Sequence, residues 1–422
     1  VGGTNHPLDL VDGQADAKPL AKLRGESSME KKASTRLYYL DWLRVLAILT
    51  VLVYHSTRFF NMETWNVKNP TWYPWVEVWN RFATTWLLPL IFVISGASLF
   101  FAVGKAGAGK FVKDKALRLL VPVVVCALTH ASLQAYLNNL THGEFSGSYF
   151  QYLPNYFLDD FDGMGAHLWY LVVLFVFSML LYPLFRWLRG SGQGALSKLG
   201  NLLSLPGAVY ALALPAILLV VLLDIESPVI YNAAGWSILV YLWLTLTGFL
   251  IVSDERLQVS FERLRWLSLP LGLVLAGSQF FLLTLQQYPA FGTWRNALGW
   301  GVRALSSWCC ILAILGFGRK HLSFNTPALK YANEAVLPFY ILHQTVLLGV
   351  GYFVVQWAIP DLLKWGIILL ASFVIIMALY EFLVRRYNSM RFLFGMKLRP
   401  KAPVVLPQET APVSPLDIMP SQ

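Results

Sequence analysis

The chain is short of charge: 13% of its 422 residues are Asp, Glu, Lys or Arg, against 56% that are hydrophobic. Soluble domains carry about 25% charged residues, so a water-exposed surface over the whole chain is excluded. Cysteine is scarce as well. Cys126, Cys309 and Cys310 lie inside apolar runs, two of them adjacent and none at metal-ligand spacing, which supports neither a disulfide framework nor a metal site. Residues 1–35 lack the apolar centre of a signal peptide and read as a polar tail; Met29 would make a natural start, with the preceding 28 residues as an extension. The glycine-rich stretch 104–110 lacks the Walker pattern, so ATP binding is not indicated. No permanently bound cofactor is expected.

What the chain has is long apolar runs. They fall at about 38–60, 82–103, 118–137, 167–186, 206–224, 232–252, 266–286, 296–316, 333–355 and 362–384, each close to the roughly 20 residues that span a bilayer. Only helices or closed barrels cross lipid, and these runs are too long and too uniformly apolar for barrel strands. The expectation is an all-α polytopic membrane protein of about ten transmembrane helices, with a membrane domain over 36–397 and a Pro-rich tail over 398–422. A net charge of +10 would suit nucleic acid, but the basic residues outside the runs alternate in register with them, 23 on one side and 4 on the other. Cytoplasmic loops carry such an excess, so the charge reports topology, with both termini cytoplasmic and no nucleic-acid partner.

The first run, RLYYLDWLRVLAILTVLVYHSTRFF, places Asp41, Arg44, His55 and Arg58 in one apolar helix. With Arg44 at zero, His55 falls at about +20°, Asp41 at about +60° and Arg58 at about −40°, so all four share a face. A charge near the membrane centre costs roughly 2.5 to 3.5 kcal/mol, which directs such a stripe into a bundle interior or a water-filled cavity. Snorkelling ends would account for the arginines better than for His55, a group that titrates near neutrality. Arg44 and His55 are 11 residues apart, roughly 16 Å along the axis, so they serve different parts of a long ligand or connect through other residues.

Other polar groups fall inside runs: His343 in LPFYILHQTVLL, His167 in HLWYLVVLF, and Arg303. A lone buried histidine is as readily a structural hydrogen-bonding group as a functional one. Glu381 pairs most simply with Arg385 at i+4. The stretch before the third run, GKAGAGKFVKDKALRLLVP, is the densest basic cluster between runs, either topogenic or a phosphate site at a helix N-terminus. Residues 61–81 are rich in tryptophan and residues 138–166 hold carboxylates and amides with no Lys or Arg; this mixture suits sugar rings, and equally an interfacial aromatic belt beside an acidic loop.

Arg44 and His55 with ten residues between them, ISGASLF at 94–100, Lys115 and Arg118 before LLVP, HLWYL at 167–171 and FYILH at 339–343 together resemble the integral-membrane acyltransferase-3 family. The resemblance covers about 36–397. Within the family, YYLDWLR, VISG, LYEFLVRR and FLFGMKLRP are most similar to the glucan succinyltransferases that modify osmoregulated periplasmic glucans. Two features depart from the pattern: Gln344 and Thr345 follow His343 where a proline is common, and Lys115 stands where the basic pair often has an arginine.

The resemblance implies transfer of an acetyl or succinyl group from cytoplasmic acyl-CoA to a hydroxyl of an envelope carbohydrate, in a multi-pass protein of the inner membrane. The implied catalytic candidates are His55, as general base, with Arg44, Asp41 and His343; Lys115 and Arg118, with Arg44, are donor-binding candidates. His167, Trp169, Ser95, Arg303 and Arg58 are candidates for acceptor binding or for shaping the site, with Arg303 or His343 able to stabilise an oxyanion. No serine or cysteine has an obvious base partner, which favours direct transfer. A solute or proton-coupled transporter is the competing class, and the two halves lack the internal similarity that would favour it.

The charge bias generates a test of topology. A cysteine introduced at Gly147 should react with an impermeant thiol reagent added outside, and one at Lys110 should not; labelling of both from one side would overturn the alternation.

Overall fold

The computed structural model describes Gly2 and residues 36–104, 107–224, 231–283 and 289–400. Most of the N-terminal tail, Lys105 and the C-terminal tail from 401 lie outside the described residues. The helical body begins at Tyr38. Its helices are α1 (Tyr38–Thr57), α2 (Pro74–Val103), α3 (Ala108–Leu128), α4 (His130–His142), α5 (Tyr149–Leu158), α6 (Trp169–Arg189), α7 (Gln193–Leu203), α8 (Leu214–Leu222), α9 (Ile238–Ser253), α10 (Glu255–Leu283), α11 (Trp294–His321), α12 (Pro327–Val354), α13 (Asp361–Leu379) and α14 (Asn388–Leu393). Short 3₁₀ turns precede α6 and α8, and a π turn, Tyr380–Val384, continues α13. The described β-structure is one antiparallel hairpin, β1 (Asn232–Ala233) and β2 (Trp236–Ser237).

Starts and stops follow local chemistry. Thr326 accepts a hydrogen bond from the Leu329 amide and Pro327 opens α12, a proline being harmless where the helix has no use for an N–H. Ser237 and Thr293 cap α9 and α11 in the same way. The expected count of ten spans is not confirmed. Among the described residues six helices are long and apolar enough to cross a membrane, and at most nine if three bent pairs, α3 with α4, α7 with the turn and helix to Leu222, and α9 with α10, each count as one. The last pair accounts for the difference: α9 has 16 residues, and α10, turned by 104° from it, begins with Arg256, Glu262, Arg263 and Arg265 before its apolar half.

α1 packs against α2, α11, α12 and α13, which places much of its polar stripe inside the bundle. The tightest approach is between α2 and α9. A Cβ at Gly96 would lie 1.8 Å from the Thr245 carbonyl oxygen, and one at Gly248 would lie 1.9 Å from the Val93 carbonyl oxygen. Small residues let helix backbones touch inside a membrane, where dispersion rather than water exclusion drives association.

That contact has a direct test. Gly96→Leu and Gly248→Leu should each destabilise the detergent-solubilised protein by about 1–3 kcal/mol or more, whereas Gly277→Ala, whose added methyl meets nothing within 4 Å, should leave its melting temperature unchanged or raised. Equal melting of all three would show that the α2–α9 contact carries no stability.

Candidate active site

A cavity of about 610 Å³ opens among α1, α2, α4, α6 and α12, within the range of small-molecule sites. Ile48, Val51, Leu87, Leu88 and Ile91 give it an apolar wall; His55, Gln134, His167 and Gln344 supply polar groups, and Asn138, Asn139, Asp160 and Asp162 continue the lining toward α5. Trp169 and Tyr170, from HLWYL, line it too.

His55 and His343, 288 residues apart in sequence, are hydrogen-bonded through Nδ1 of the first and Nε2 of the second at 2.9 Å. Acceptor-only partners assign the protons. His343 Nδ1 faces the Tyr340 carbonyl oxygen, so it must donate. In the neutral ring Nε2 then accepts, and His55 Nδ1–H is its donor. His55 Nε2 therefore holds a free lone pair; it makes no hydrogen bond among the described residues, and His55 lines the cavity. His167 is locked differently. Its Nε2 lies 3.1 Å from both the Tyr340 and Ile341 carbonyl oxygens and donates to them, and its Nδ1 accepts from Gln134 at 3.3 Å. Of the three histidines brought together, only His55 offers a lone pair to a ligand.

Local sequence explains how His167 arrives there. Both carboxylate oxygens of Asp162 accept backbone hydrogen bonds, from Met164 at 2.8 Å and from Ala166 at 2.7 Å, shaping a turn in which Gly165 takes φ +68°. The 3₁₀ turn Ala166–Leu168 then sets the imidazole against α12.

The ISGASLF segment divides its work by helical face. Ser95 Oγ lies 2.5 Å from Tyr170 Oη, Gly96 admits α9, and Ser98 Oγ accepts from Arg44 at 2.6 Å. Arg44 also donates to Asn333 at 3.3 Å and pairs with Asp41 at 3.2 Å. Arg44, Lys115 and Arg118 lie close enough to repel one another, and Arg44 and Arg118 act electrostatically on Tyr170. Tyr170 thus joins the cationic cluster to the histidine cavity. Asp41 stays with Arg44, about 21 Å along α1 from His55.

Arg58 and Arg303 are not in the cavity lining and have other partners. Arg58 lies just past α1 and turns to Glu63 and to the Thr64 carbonyl, 3.0 Å away, pinning the segment that leads to α2. Arg303 stacks on Trp236 and Trp300, with its guanidinium carbon 4.6 and 5.0 Å from the ring centres, behind the hairpin whose Ala234 lines the cavity. Glu381 pairs with Arg385 as expected.

Sequence reasoning did not single out Trp65, Tyr170, Ser98, Gln134 or Gln344 as site residues. Trp65 comes from the segment Arg58 pins and lies parallel to His55, ring centres 6.0 Å apart. That segment is tied again by Lys68, which donates to the Arg58 and Asn61 carbonyls at 2.8 and 2.6 Å. Burial, followed by the Arg58 charge, draws the Lys68 ammonium down to about 8. Burial works to raise the Glu63 carboxyl, but the hydrogen bond and charge of Arg58 hold it below its ordinary value. The available signals were spacing, with Ser98 one turn beyond Ser95, and adjacency, with Gln344 next to His343.

Apolar helices long enough to cross a membrane, closing around a cavity lined by two histidines, define a multi-pass membrane protein. Residues 37–381 match the family model described as Acyltransferase domain, and the chain belongs to that acyltransferase-3 family: it is a membrane acyltransferase. Among curated relatives, proteins named Glucans biosynthesis protein C from Salmonella heidelberg and Salmonella typhi are each 22% identical over 385 residues, covering 87% of this chain and 97% of the relative. No solved structure matches.

The proton assignment predicts selective chemistry. Diethyl pyrocarbonate should acylate His55 ahead of His167 and His343, as read by peptide mass spectrometry; faster modification of either of the other two would overturn the assignment.

Proposed function

We propose that this acyltransferase moves an acetyl or succinyl group from cytoplasmic acyl-CoA to a hydroxyl of an envelope carbohydrate, with a periplasmic glucan as acceptor, in the inner membrane. The observation that carries this reading is the free Nε2 of His55 at the cavity wall, held by His343. A neutral imidazole so placed takes the proton of a sugar hydroxyl as its oxygen attacks the acyl carbon, and such base catalysis contributes typically 10²- to 10⁴-fold. His343 orients the ring and, through the Tyr340 carbonyl, favours the imidazolium that forms. Arg44, Lys115 and Arg118 hold donor phosphates at the other end of α1, with Asp41 and Asn333 orienting Arg44. The fit of the spacing supports this division: about 16 Å of helix separates the phosphate end from the base, a distance that suits a donor with a long arm between phosphates and thioester.

Direct transfer is favoured over a covalent acyl-enzyme. Ser95 is hydrogen-bonded to Tyr170 and Cys126 to the Gly165 carbonyl, and among the described residues neither is hydrogen-bonded to a histidine or carboxylate. The carboxylates and amides of the cavity near α5 favour a polyhydroxyl acceptor, and the names of the relatives favour a glucan.

Mass spectrometry of periplasmic glucans tests the reading, since it gives acceptor and acyl mass together. Cells with the wild-type protein should carry acylated glucan; cells with His55→Gln should lose at least 10²-fold of it, and Lys115→Ala/Arg118→Ala should reduce it in a manner relieved by raising the donor. Unmodified glucan in wild-type cells would exclude this acceptor, and an active His55→Gln would return His55 to a structural role.

A further inference from the structure

Gln344 lines the same cavity as His55 and is 8% exposed, one residue beyond His343. Its orientation follows from the backbone. The Tyr340 and Ile341 carbonyls require a proton on His167 Nε2, which leaves Nδ1 to accept. Gln134 must therefore turn its NH₂ group to His167; its other N–H reaches Thr345 Oγ1 at 2.7 Å. The Gln134 carbonyl oxygen then faces Gln344, which must present its own NH₂ group to it, at 3.1 Å. One N–H of Gln344 is thereby engaged. The second has no partner among the described residues and belongs to a buried amide at the cavity wall.

We propose that Gln344 is a catalytic residue that donates this N–H to the carbonyl oxygen of the acyl donor as negative charge develops on it. The inference rests on the acyl-transfer reading above. In the step, the acceptor hydroxyl oxygen bonds to the acyl carbon while its proton passes to His55 Nε2. The carbonyl π pair moves onto oxygen, where the Gln344 N–H meets it. The pair then returns, the carbon–sulfur bond breaks, and the departing thiolate takes the proton from His55. Two relays that begin at the Tyr340 carbonyl thus end at one cavity as opposites: a lone pair on His55 and a free donor on Gln344. Fixed donors aimed at developing charge need no reorganisation during the reaction, and removing one typically lowers kcat by about 10²- to 10³-fold.

The test uses the full-length protein in lipid nanodiscs, acetyl-CoA and succinyl-CoA as donors, and a β-linked glucose oligosaccharide as acceptor. Gln344→Met, close in shape and without donors, and Gln344→Glu, which has no N–H, should each lose about 10²- to 10³-fold in kcat, with donor and acceptor KM changed less than about threefold. An acetyl-CoA analogue with sulfur in place of the carbonyl oxygen should be disfavoured by the wild type more strongly than by Gln344→Met, because the donor is tuned to oxygen. Melting temperature reports on folding of both variants. A folded Gln344→Met that keeps a third or more of kcat, or that loses only acceptor KM, overturns the step alone. No transfer by the wild type from either donor to this acceptor overturns the proposed acyl-CoA-to-glucan reaction and this step with it.

Discussion

A backbone carbonyl can only accept hydrogen bonds, and the Tyr340 carbonyl accepts from two histidines at once. His343 reaches it through Nδ1 and His167 through Nε2. Those bonds remove the tautomeric freedom that makes histidine hard to read in a structure. Every polar group farther out is then assigned in turn, to His55 on one branch and to Gln134 on the other. A buried polar network is useful only if every member is satisfied, since low dielectric makes each unpaired group expensive. Here the members away from the ligand are satisfied, and the incomplete valences fall at the cavity.

The second constraint is close packing of α2. Gly96 and Gly248 bring α2 and α9 into backbone contact, and Ser95 and Ser98, on an adjoining face, reach Tyr170 and Arg44. One helix therefore sets the positions of both the cationic end and the cavity end. Asp41 and Asn333 complete the holding of Arg44, which remains partly exposed while its neighbours Lys115 and Arg118 add charge of the same sign. Three cations in mutual repulsion form a place where an anion is favoured.

Much of this was legible before the fold. His55 stood out because a histidine deep in an apolar run has few reasons to be there, and Arg44 because it shares its face. The loop carrying Trp65 was recognisable as aromatic, yet nothing in the sequence separates the tryptophan beside His55 from its neighbours at Trp72 and Trp75, which are exposed. The bond between His55 and His343 joins residues from the first and the twelfth helices, a separation that no periodicity reports. Gln134 and Tyr170 look like ordinary polar residues in mixed helices until their partners are in view. The count of ten spans is not confirmed, because hydropathy registers apolar length and does not report the sharp bend between α9 and α10.

Arg44 and His55 ride on one unbroken helix. Their separation is a caliper with fixed jaws: movements of the surrounding helices carry both ends together and leave the gap as it is. In the proposed reaction, a larger acyl group would not be accommodated by sliding the donor phosphates away from His55. Its extra atoms would have to find room beyond His55, so on that proposal discrimination among acyl groups falls to the shape of the cavity wall and not to the charged end.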